Sequence, residues 1–251
     1  MNYTAVFQGG GLKSIAYIGA ILALEEEGYI CTKAAGVSAG AIFAALLTAG
    51  YTGIELLDIL NNINIDNLLK KEKQSIKQTL NNKGLYSLYY IEKFIENLLI
   101  KKNKYSFSSF NKKLKILATN TTKKIPIVLP DNLMYYNINS DYYPVSKAVA
   151  MSCAFPFFFK PIKLNNDNIA DGGIINNFPY NLIEYNKDKL VIGFLLTKQN
   201  IKDIPENINI IKLDTRKIKI LNFKIKKEEQ LDIIKKSYID TKRQLKELNL
   251  I

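Results

Sequence analysis

The 251-residue sequence contains no histidine and only two cysteines. Because a Ser-His-Asp triad needs an imidazole base, the absence of histidine excludes that mechanism on any fold. Cys31 and Cys153 lie far apart and in no paired motif, so the sequence predicts neither a disulfide framework nor a zinc site. This use of cysteine fits a reducing compartment.

The sequence also lacks an uninterrupted apolar run long enough to span a bilayer, since its longest apolar stretches are broken by glycine or charge. The opening MNYTAVFQGGGLKS has no basic segment followed by an apolar one, so we expect no Sec-type signal peptide. We expect a cytoplasmic or peripheral membrane protein, and export by another route stays open. No linker-like stretch divides the chain, which predicts one domain over residues 1–251 with a helical C-terminal extension from about residue 226.

Arginine is scarce, so lysine supplies nearly all of the positive charge behind the net charge of +12. A basic protein can favour nucleic acid or anionic lipid headgroups, but many asparagines and isoleucines accompany the lysines, which indicates a low-GC genome as much as a function. The stretch from Lys212 to Lys227 has seven cations and only Asp214 opposing them. We interpret it first as a solvated surface, with docking on an anionic membrane as the alternative, and we expect no nucleic-acid partner.

Short apolar strands alternate with helical patterns at the start of the chain. TAVFQ is predicted to be a strand, Lys13 to Glu27 a helix, TKAAGVSAG a strand with a sharp turn, and Ala39 to Thr48 a second helix. This order predicts parallel βαβ winding. The later predictions are a polar-faced helical stretch over residues 53–102 broken near Asn81–Gly84, strands at LKILATN, IPIVLP, LMYYNIN, near Ile169, at LVIGFLL and at INIIKL, a short helix in PVSKAVAMSCAFP, and a helix from Lys226 to Leu248.

The segment Gly36-Val37-Ser38-Ala39-Gly40 fits the pattern G-x-S-x-G between a predicted strand and a predicted helix. A nucleophilic serine needs that position, because a tight turn with small neighbours projects its hydroxyl from the sheet edge. The following helix also directs its N-terminal N–H groups toward the same point. A glycine-rich turn without chemistry would read the same way, but the strand–turn–helix context favours Ser38 as a nucleophile. Without histidine, its base must be a carboxylate, a lysine or a terminal amine.

Three glycines, Gly9, Gly10 and Gly11, join the first strand to the first helix and expose consecutive backbone N–H groups that can bind a negative oxygen. Phosphate is the rival ligand. However, Leu12 interrupts the Walker Gly-Lys-Ser order, and Ser14 stands where a dinucleotide motif needs Gly or Ala. Lys13 at the helix start opposes the helix dipole, which suggests that it anchors the loop or attracts an anionic substrate.

Asp171 differs from the other acidic residues, most of which lie in lysine-rich stretches that read as solvated faces. It follows the apolar pair Ile169-Ala170 and precedes Gly172-Gly173, so its carboxylate lies at a predicted strand end where another loop can come close. An ordinary Asp-Gly turn is the alternative interpretation.

Together these motifs resemble those of the patatin-like phospholipases. The match runs in order through GGGLK (9–13), GVSAG (36–40), AMSCAFPFFFKP (150–161), DGG (171–173) and NNFP (176–179), and it spans about residues 3–197. The ordered set is far more specific than any one motif. Ser14 departs from the family's usual glycine, which puts the geometry of the glycine loop in question.

The resemblance implies a three-layer α/β fold with a mostly parallel sheet between helices. It implies a Ser-Asp dyad with Ser38 as nucleophile and Asp171 as base, and Gly9, Gly10 and Gly11 as the oxyanion loop. Lys13, Gly36, Gly40 and Gly172 are the expected supporting residues, with no metal and no cofactor. The expected substrate is a phospholipid or another acyl-ester lipid, cleaved through an acyl-enzyme.

The same dyad would serve an acyltransferase in which an alcohol replaces water, and a catalytically idle lipid- or protein-binding module is the other alternative. The aromatic cluster Phe155, Phe157, Phe158 and Phe159 fits either an acyl channel or ordinary core and loop anchoring. Peripheral contact with a membrane is expected, and the oligomeric state stays open.

Overall fold

The computed structural model of the protein describes residues 1–68, 84–111, 113–184, 189–196, 201, 203–216, 218 and 225–251. Its strands are β1 Asn2–Phe7, β2 Ile30–Val37, β3 Gly84–Tyr86, β4 Leu114–Asn120, β5 Ile125–Leu129, β6 Phe157–Phe159, β7 Ile162–Leu164, β8 Asp167–Asp171, β9 Leu190–Leu195 and β10 Ile208–Lys212. Its α-helices are α1 Ala16–Glu26, α2 Ala39–Thr48, α3 Gly53–Asn62, α4 Tyr89–Lys101, α5 Val145–Ser152 and α6 Lys227–Glu247.

One mixed sheet of eight strands forms the centre of the molecule, in the order β10-β9-β1-β2-β4-β8-β7, with β5 also paired to β4. The strands from β10 to β4 run parallel. Strands β5 and β8 pair antiparallel with β4, and β7 pairs antiparallel with β8. Because β1, β2 and β4 are parallel, the loops that follow them open on the same edge of the sheet. The predicted three-layer α/β fold with a mostly parallel sheet is therefore confirmed.

The centre of the sheet is buried because its strands are apolar on both faces, as expected for strands covered by helices on each side. Phe7 of β1 stacks on Phe194 of β9 with ring centroids 4.7 Å apart, and Tyr17 of α1 meets the edge of Phe7 at 5.0 Å. The buried Tyr17 hydroxyl donates a hydrogen bond of 2.6 Å to the backbone carbonyl of Gln8. This cluster fixes the end of β1 from which the glycine loop departs.

The C-terminal helix α6 packs along α1. Gly19 allows this close approach, since a Cβ there would collide with the Ile234 carbonyl and the Ser237 hydroxyl. Lys242 of α6 forms an ion pair with Glu27, and Tyr238 donates a hydrogen bond to Glu26. The helix predicted over residues 226–248 is thus present, and it lies on the body of the protein.

The start of one predicted helix and the type of one predicted element differ from the sequence prediction. The helix expected from Lys13 begins as a 3₁₀ turn over Gly11–Ile15, and α1 starts only at Ala16. The strand expected at LMYYNIN is wrong, because Asp131–Tyr136 form a 3₁₀ helix that ends at the left-handed residue Asn137. Leu133 and Tyr136 are buried while Met134 and Tyr135 are exposed. That spacing of three suits a 3₁₀ helix, whereas a strand alternates every second residue.

Some predictions fall partly outside the described residues. Asn81 and Asn82, where a break in the helical stretch was expected, lie outside them, as do residues 217 and 219–224 of the basic segment. No helix within the described part of the chain is both long enough and apolar enough to cross a membrane.

Candidate active site

Ser38 occupies the turn between β2 and α2, with backbone angles φ 54° and ψ −130°. A serine in this left-handed region is strained, and such strain recurs where a nucleophile is held out from a sheet edge. The turn is also tight, since a Cβ on Gly36 would meet the carbonyl of Gly40. The sequence therefore specifies this turn by combining a serine with two glycines that leave it room.

Gly40 brings α2 directly against the end of β1. A Cβ on Gly40 would lie 2.5 Å from the Phe7 carbonyl oxygen and 2.7 Å from that of Gln8. Backbone carbonyls cannot move aside as a flexible side chain can, so only glycine permits this contact. The close approach brings the first turn of α2 beside the glycine loop that follows β1, and in that turn the Ala41 N–H donates to the Ser38 carbonyl at 2.9 Å.

Asp171 is the last residue of β8 and is 3% exposed. Pairing of β8 with β4 puts it opposite Ala118, and its own N–H donates to the Ala154 carbonyl at 3.0 Å. The Ser38 side chain lies next to the carboxylate, near enough for its hydroxyl to lower the pKa of Asp171, so the two residues predicted as a pair are neighbours. A Cβ on Gly172 would collide with the Leu117 carbonyl, so this glycine lets the Asp171 loop lie against β4.

Burial raises the pKa of the Asp171 carboxyl above its ordinary value. Two hydrogen bonds lower that pKa in part, one from the Ser38 hydroxyl and one of 2.7 Å from the Gly173 N–H. The neighbouring Cys153 is buried too, and desolvation together with the Asp171 charge raises the pKa of its thiol well above the usual range. A raised carboxyl pKa makes Asp171 a stronger base than an exposed aspartate, while Cys153 stays a neutral thiol.

The glycine loop is tied to the segment after Asp171 by Asn177. The Gly9 N–H donates to the Asn177 carbonyl at 3.0 Å, and the Asn177 side-chain amide donates to the Gly9 carbonyl at 3.1 Å. The N–H of Gly9 is therefore already committed to a hydrogen bond. Within the described residues, the N–H groups of Gly10 and Gly11 make no hydrogen bond, so these two amides are the ones free to bind an oxyanion.

Lys13 and Ser14 follow in the 3₁₀ turn over Gly11–Ile15. Lys13 is partly exposed and forms no ion pair or hydrogen bond through its ammonium group with the part of the chain that the structure describes. Ser14, the departure from the family pattern, is buried and lines the cavity described below.

Ser152 is a site residue that the sequence did not single out by role. Its fully buried hydroxyl accepts a hydrogen bond of 2.8 Å from the Ser38 N–H and donates one of 2.5 Å to the Leu117 carbonyl. The side chain thus fixes the strained turn to β4. Its only sequence signal was its place in AMSCAFP, because the contact joins residues 114 positions apart.

An apolar cavity of about 250 Å³ opens onto Ser38. Helices α1 to α4 and the 3₁₀ turn over Gly11–Ile15 supply most of its wall, and almost every lining side chain is a hydrocarbon. The lining is Gly11, Leu12, Ser14, Ile15, Ile18, Ser38, Ala39, Ile42, Phe43, Leu46, Leu56, Ile59, Leu60, Ile63, Ile65, Leu68, Ile91, Phe94, Ile95, Cys153, Phe155 and Phe159. A space lined mostly by hydrocarbon side chains and reaching the Ser38 side chain suits a long hydrocarbon chain with a polar group at its head.

The aromatic cluster separates into different environments. Phe155 and Phe159 line the cavity. Phe158 stacks on Tyr86 with ring centroids 4.5 Å apart, as an anchor between β6 and β3. Phe157 points into solvent. Phe158 therefore has the anchoring role, Phe155 and Phe159 lie where an acyl channel would need them, and Phe157 fits neither interpretation.

No group of three or more His, Cys, Asp or Glu side chains in the described ranges is arranged to hold a metal ion.

Comparison with known proteins gives consistent results. The family model described as patatin-like phospholipase matches residues 5–183. The uncharacterized protein YqhO of Bacillus subtilis (strain 168) is 38% identical over 223 residues, which cover 83% of this chain and 76% of that protein. The probable lipid hydrolase 463L of Invertebrate iridescent virus 6 is 28% identical, with 94% of this chain and 90% of that protein covered.

Among solved structures, VipD from Legionella pneumophila is similar with a TM-score of 0.66 and 17% sequence identity. The similarity covers 98% of this chain and 67% of the VipD chain. At this identity it is a likeness of fold alone.

Proposed function

The chain belongs to the patatin-like phospholipase family, and from that premise we propose that it hydrolyses acyl-ester lipids with Ser38 as nucleophile and Asp171 as base. Family membership supports a lipid hydrolase in general terms. The observation that carries the finer proposal is an apolar cavity lined by Ser38, whose hydroxyl lies beside the buried Asp171 carboxylate. A phospholipase A or lysophospholipase type of reaction fits these two parts.

In the proposed reaction, Asp171 accepts the Ser38 hydroxyl proton as Oγ attacks the ester carbonyl. The Gly10 and Gly11 amides stabilise the negative oxygen, each well-placed donor contributing about 3–4 kcal/mol. Asp171 then gives this proton to the oxygen of the leaving alcohol, and the fatty acyl group remains on Ser38. Asp171 then takes a proton from water, whose oxygen attacks the acyl-enzyme, and it returns that proton to Ser38 Oγ as the fatty acid is released.

A carboxylate is a weak base for an alcohol, so the surroundings must supply much of the driving force. Burial of Asp171 raises its pKa and thereby strengthens it as a base. Ser38 sits at the N-terminus of α2, where the positive end of the helix dipole favours a developing alkoxide. The hydrogen bonds of Asn177 to Gly9 hold the other side of the loop in place.

The test is the release of fatty acid from phospholipid by purified protein and two variants. We expect Ser38→Ala and Asp171→Asn each to lower the rate by about 10³-fold or more, because each removes a group that acts in both half-reactions. Ser146→Ala is the control, since Ser146 is a buried serine whose hydroxyl has no hydrogen bond within the described residues. Full activity in either site variant would refute the dyad.

The same reaction mixtures distinguish hydrolysis from acyl transfer. Added glycerol or lysolipid competes with water for the acyl-enzyme, so a transferase yields new acyl esters where a hydrolase yields free fatty acid. A wild-type protein that binds lipid and forms neither product is an idle binding module.

A further inference from the structure

Two segments next to the candidate active site expose large apolar side chains. Phe155 and Phe157 precede β8 and are 47% and 80% exposed. Ile174 and Ile175 follow Asp171 and are 49% and 43% exposed. Single exposed apolar residues are ordinary on a protein surface, but four on two segments that meet at one site are not.

The two segments lie side by side. The hydrogen bond from the Asp171 N–H to the Ala154 carbonyl joins them within one residue of Phe155 and three of Ile174. Phe155 also lines the cavity that ends at Ser38. We call Phe155, Phe157, Ile174 and Ile175 the apolar rim; through Phe155 it is continuous with the cavity wall.

Phe157 adds an independent observation. Its φ of 67° lies in the left-handed region, which a bulky L-residue occupies only under strain. The strained residue carries the most exposed side chain of the four and pairs with Gly84 across β3 and β6. Holding this aromatic ring outward therefore lowers the stability of the folded state, and backbone strain of this kind concentrates at functional positions.

We propose that the apolar rim is the surface by which the protein docks on a lipid bilayer, with the ring of Phe157 inserted among the lipid chains. This inference rests on the proposed function. A long acyl chain is costly to transfer through water, whereas a rim seated in the bilayer lets the chain slide past Phe155 into the cavity without leaving an apolar medium. An aromatic side chain at the membrane interface also suits the boundary between headgroups and hydrocarbon.

Tryptophan fluorescence tests the docking directly, since the chain has no tryptophan of its own. Phe157→Trp supplies a single reporter on the rim, in a Ser38→Ala background that preserves the lipid. Ile30→Trp is the matched control, because Ile30 is 62% exposed but begins β2, whereas Ser38 follows the other end of that strand. With vesicles of phosphatidylcholine and phosphatidylglycerol, we expect a blue shift and quenching by brominated lipid at position 157 only. No shift at 157, or equal shifts at both positions, overturns the proposal.

Activity gives a second test that separates docking from chemistry. Phe157→Asn removes the ring while keeping a residue that tolerates positive φ, and Ile174→Ser removes a second apolar side chain. We expect each to lower hydrolysis of vesicle phospholipid by about tenfold, with hydrolysis of a soluble short-chain ester unchanged. Ile30→Ser should change neither. Wild-type rates on vesicles in both rim variants overturn the proposal.

The outcomes also separate this inference from the one on which it rests. If the wild type cleaves neither substrate while the Phe157→Trp reporter still shifts, the proposed hydrolase fails and the docking surface stands. If both substrates are cleaved and the reporter does not shift, the hydrolase stands and the docking surface fails. Concentration-dependent self-association that buries the reporter without vesicles assigns the rim to a second copy of the chain and overturns membrane docking.

Discussion

At the scale of single residues, Ser152 is a buried hydroxyl that holds the proposed nucleophile in place. It bonds to the Ser38 N–H and the Leu117 carbonyl, and so it ties the strained turn to the sheet. Removing it leaves two buried backbone groups without partners, and it also frees the nucleophile to drift from its position.

We therefore predict that Ser152→Ala lowers kcat by about 10- to 100-fold with little change in KM, because the misplaced nucleophile affects the chemical step more than lipid binding. The free energy of unfolding should fall by about 1–3 kcal/mol. Ser146→Ala is the matched control, since it removes a buried hydroxyl from the same helix α5 that has no hydrogen bond within the described residues. Steady-state kinetics and urea denaturation measure both effects. An equal loss of kcat in the two variants would mean that Ser152 has no positioning role.

Asp171 leads to a prediction about pH. Its pKa is raised by burial, so a base role requires activity to fall as pH drops through a midpoint above the ordinary aspartate value of about 3.9. The pH dependence of kcat/KM on a soluble ester measures this midpoint. A profile that stays flat down to pH of about 4 would contradict the assignment of Asp171 as base.

The same shift affects stability with a definite sign. A carboxyl whose pKa is higher in the folded than in the unfolded state binds more protons when folded, so it costs stability as pH rises from the unfolded value through the folded one. Asp171→Asn removes that cost. We predict that the variant is more stable than the wild type at neutral pH and that the difference vanishes below about pH 3.5. Urea denaturation at both pH values measures the free energy of unfolding of the variant and the wild type. The same difference between the two proteins at both pH values would refute the prediction.

The sequence predicts Ser38, Asp171 and the glycines as site residues because their motifs are local. It does not identify the roles of Ser152 and Asn177, since each acts through a contact with a distant segment. The sequence also does not show that the Gly9 N–H is already hydrogen-bonded. Its acceptor is the backbone carbonyl of Asn177, and every residue type has a backbone carbonyl.

At the scale of elements, the packing of α6 on α1 depends on one missing side chain. Gly19 faces the Ile234 carbonyl and the Ser237 hydroxyl of α6, and any Cβ at this position meets backbone atoms. Alanine favours a helix over glycine by about 1 kcal/mol. The steric conflict opposes that gain, and it involves a backbone that cannot rotate away.

We predict that Gly19→Ala destabilises the protein by about 1–3 kcal/mol despite its better helix propensity, because α6 must shift from α1. Ile239→Ala is the control, as Ile239 is 56% exposed on α6 and should change stability by less than about 0.5 kcal/mol. Urea denaturation compares the two. A stabilised Gly19→Ala variant would show that the helices can separate at no cost.

Periodicity predicts the elements where burial follows a regular pattern. LKILATN becomes β4 with the predicted bounds, and the helix expected from Ala39 to Thr48 is α2. It fails at LMYYNIN, where apolar and aromatic residues have strand propensity but Leu133 and Tyr136 are buried and Met134 and Tyr135 are exposed. Tertiary packing there overrides local preference.

At the scale of the whole molecule, the net charge of +12 matters through its long-range field. Attraction between a cationic protein and an anionic bilayer is screened by salt, with a Debye length of about 8 Å at physiological ionic strength. We predict that vesicle binding rises with phosphatidylglycerol content and that added sodium chloride cancels the rise, while hydrolysis of a soluble neutral ester does not change. Co-sedimentation at several salt concentrations measures binding. Vesicle binding that depends on neither lipid charge nor salt concentration would contradict a role of the net positive charge in docking.

The global fold was predictable because the order of the motifs is as informative as their content. The cavity was not predictable, since its wall combines side chains from four helices whose faces read individually as ordinary core. The apolar rim was hidden for the same reason, because two segments become neighbours only through the pairing of β8 with β4 and the bond from Asp171 to Ala154.

Part of the cavity wall comes from α3 and α4, which hold none of the groups proposed to react. Ser38 precedes these two helices in the chain and Asp171 follows them. Divergence among relatives can therefore alter the accepted chain length by exchanging bulky and small residues in α3 and α4, without disturbing the proton transfer. Under selection, we expect substrate range and chemistry to be separately heritable traits of this molecule, and exchanging the α3–α4 region between relatives should transfer the first and leave the second intact.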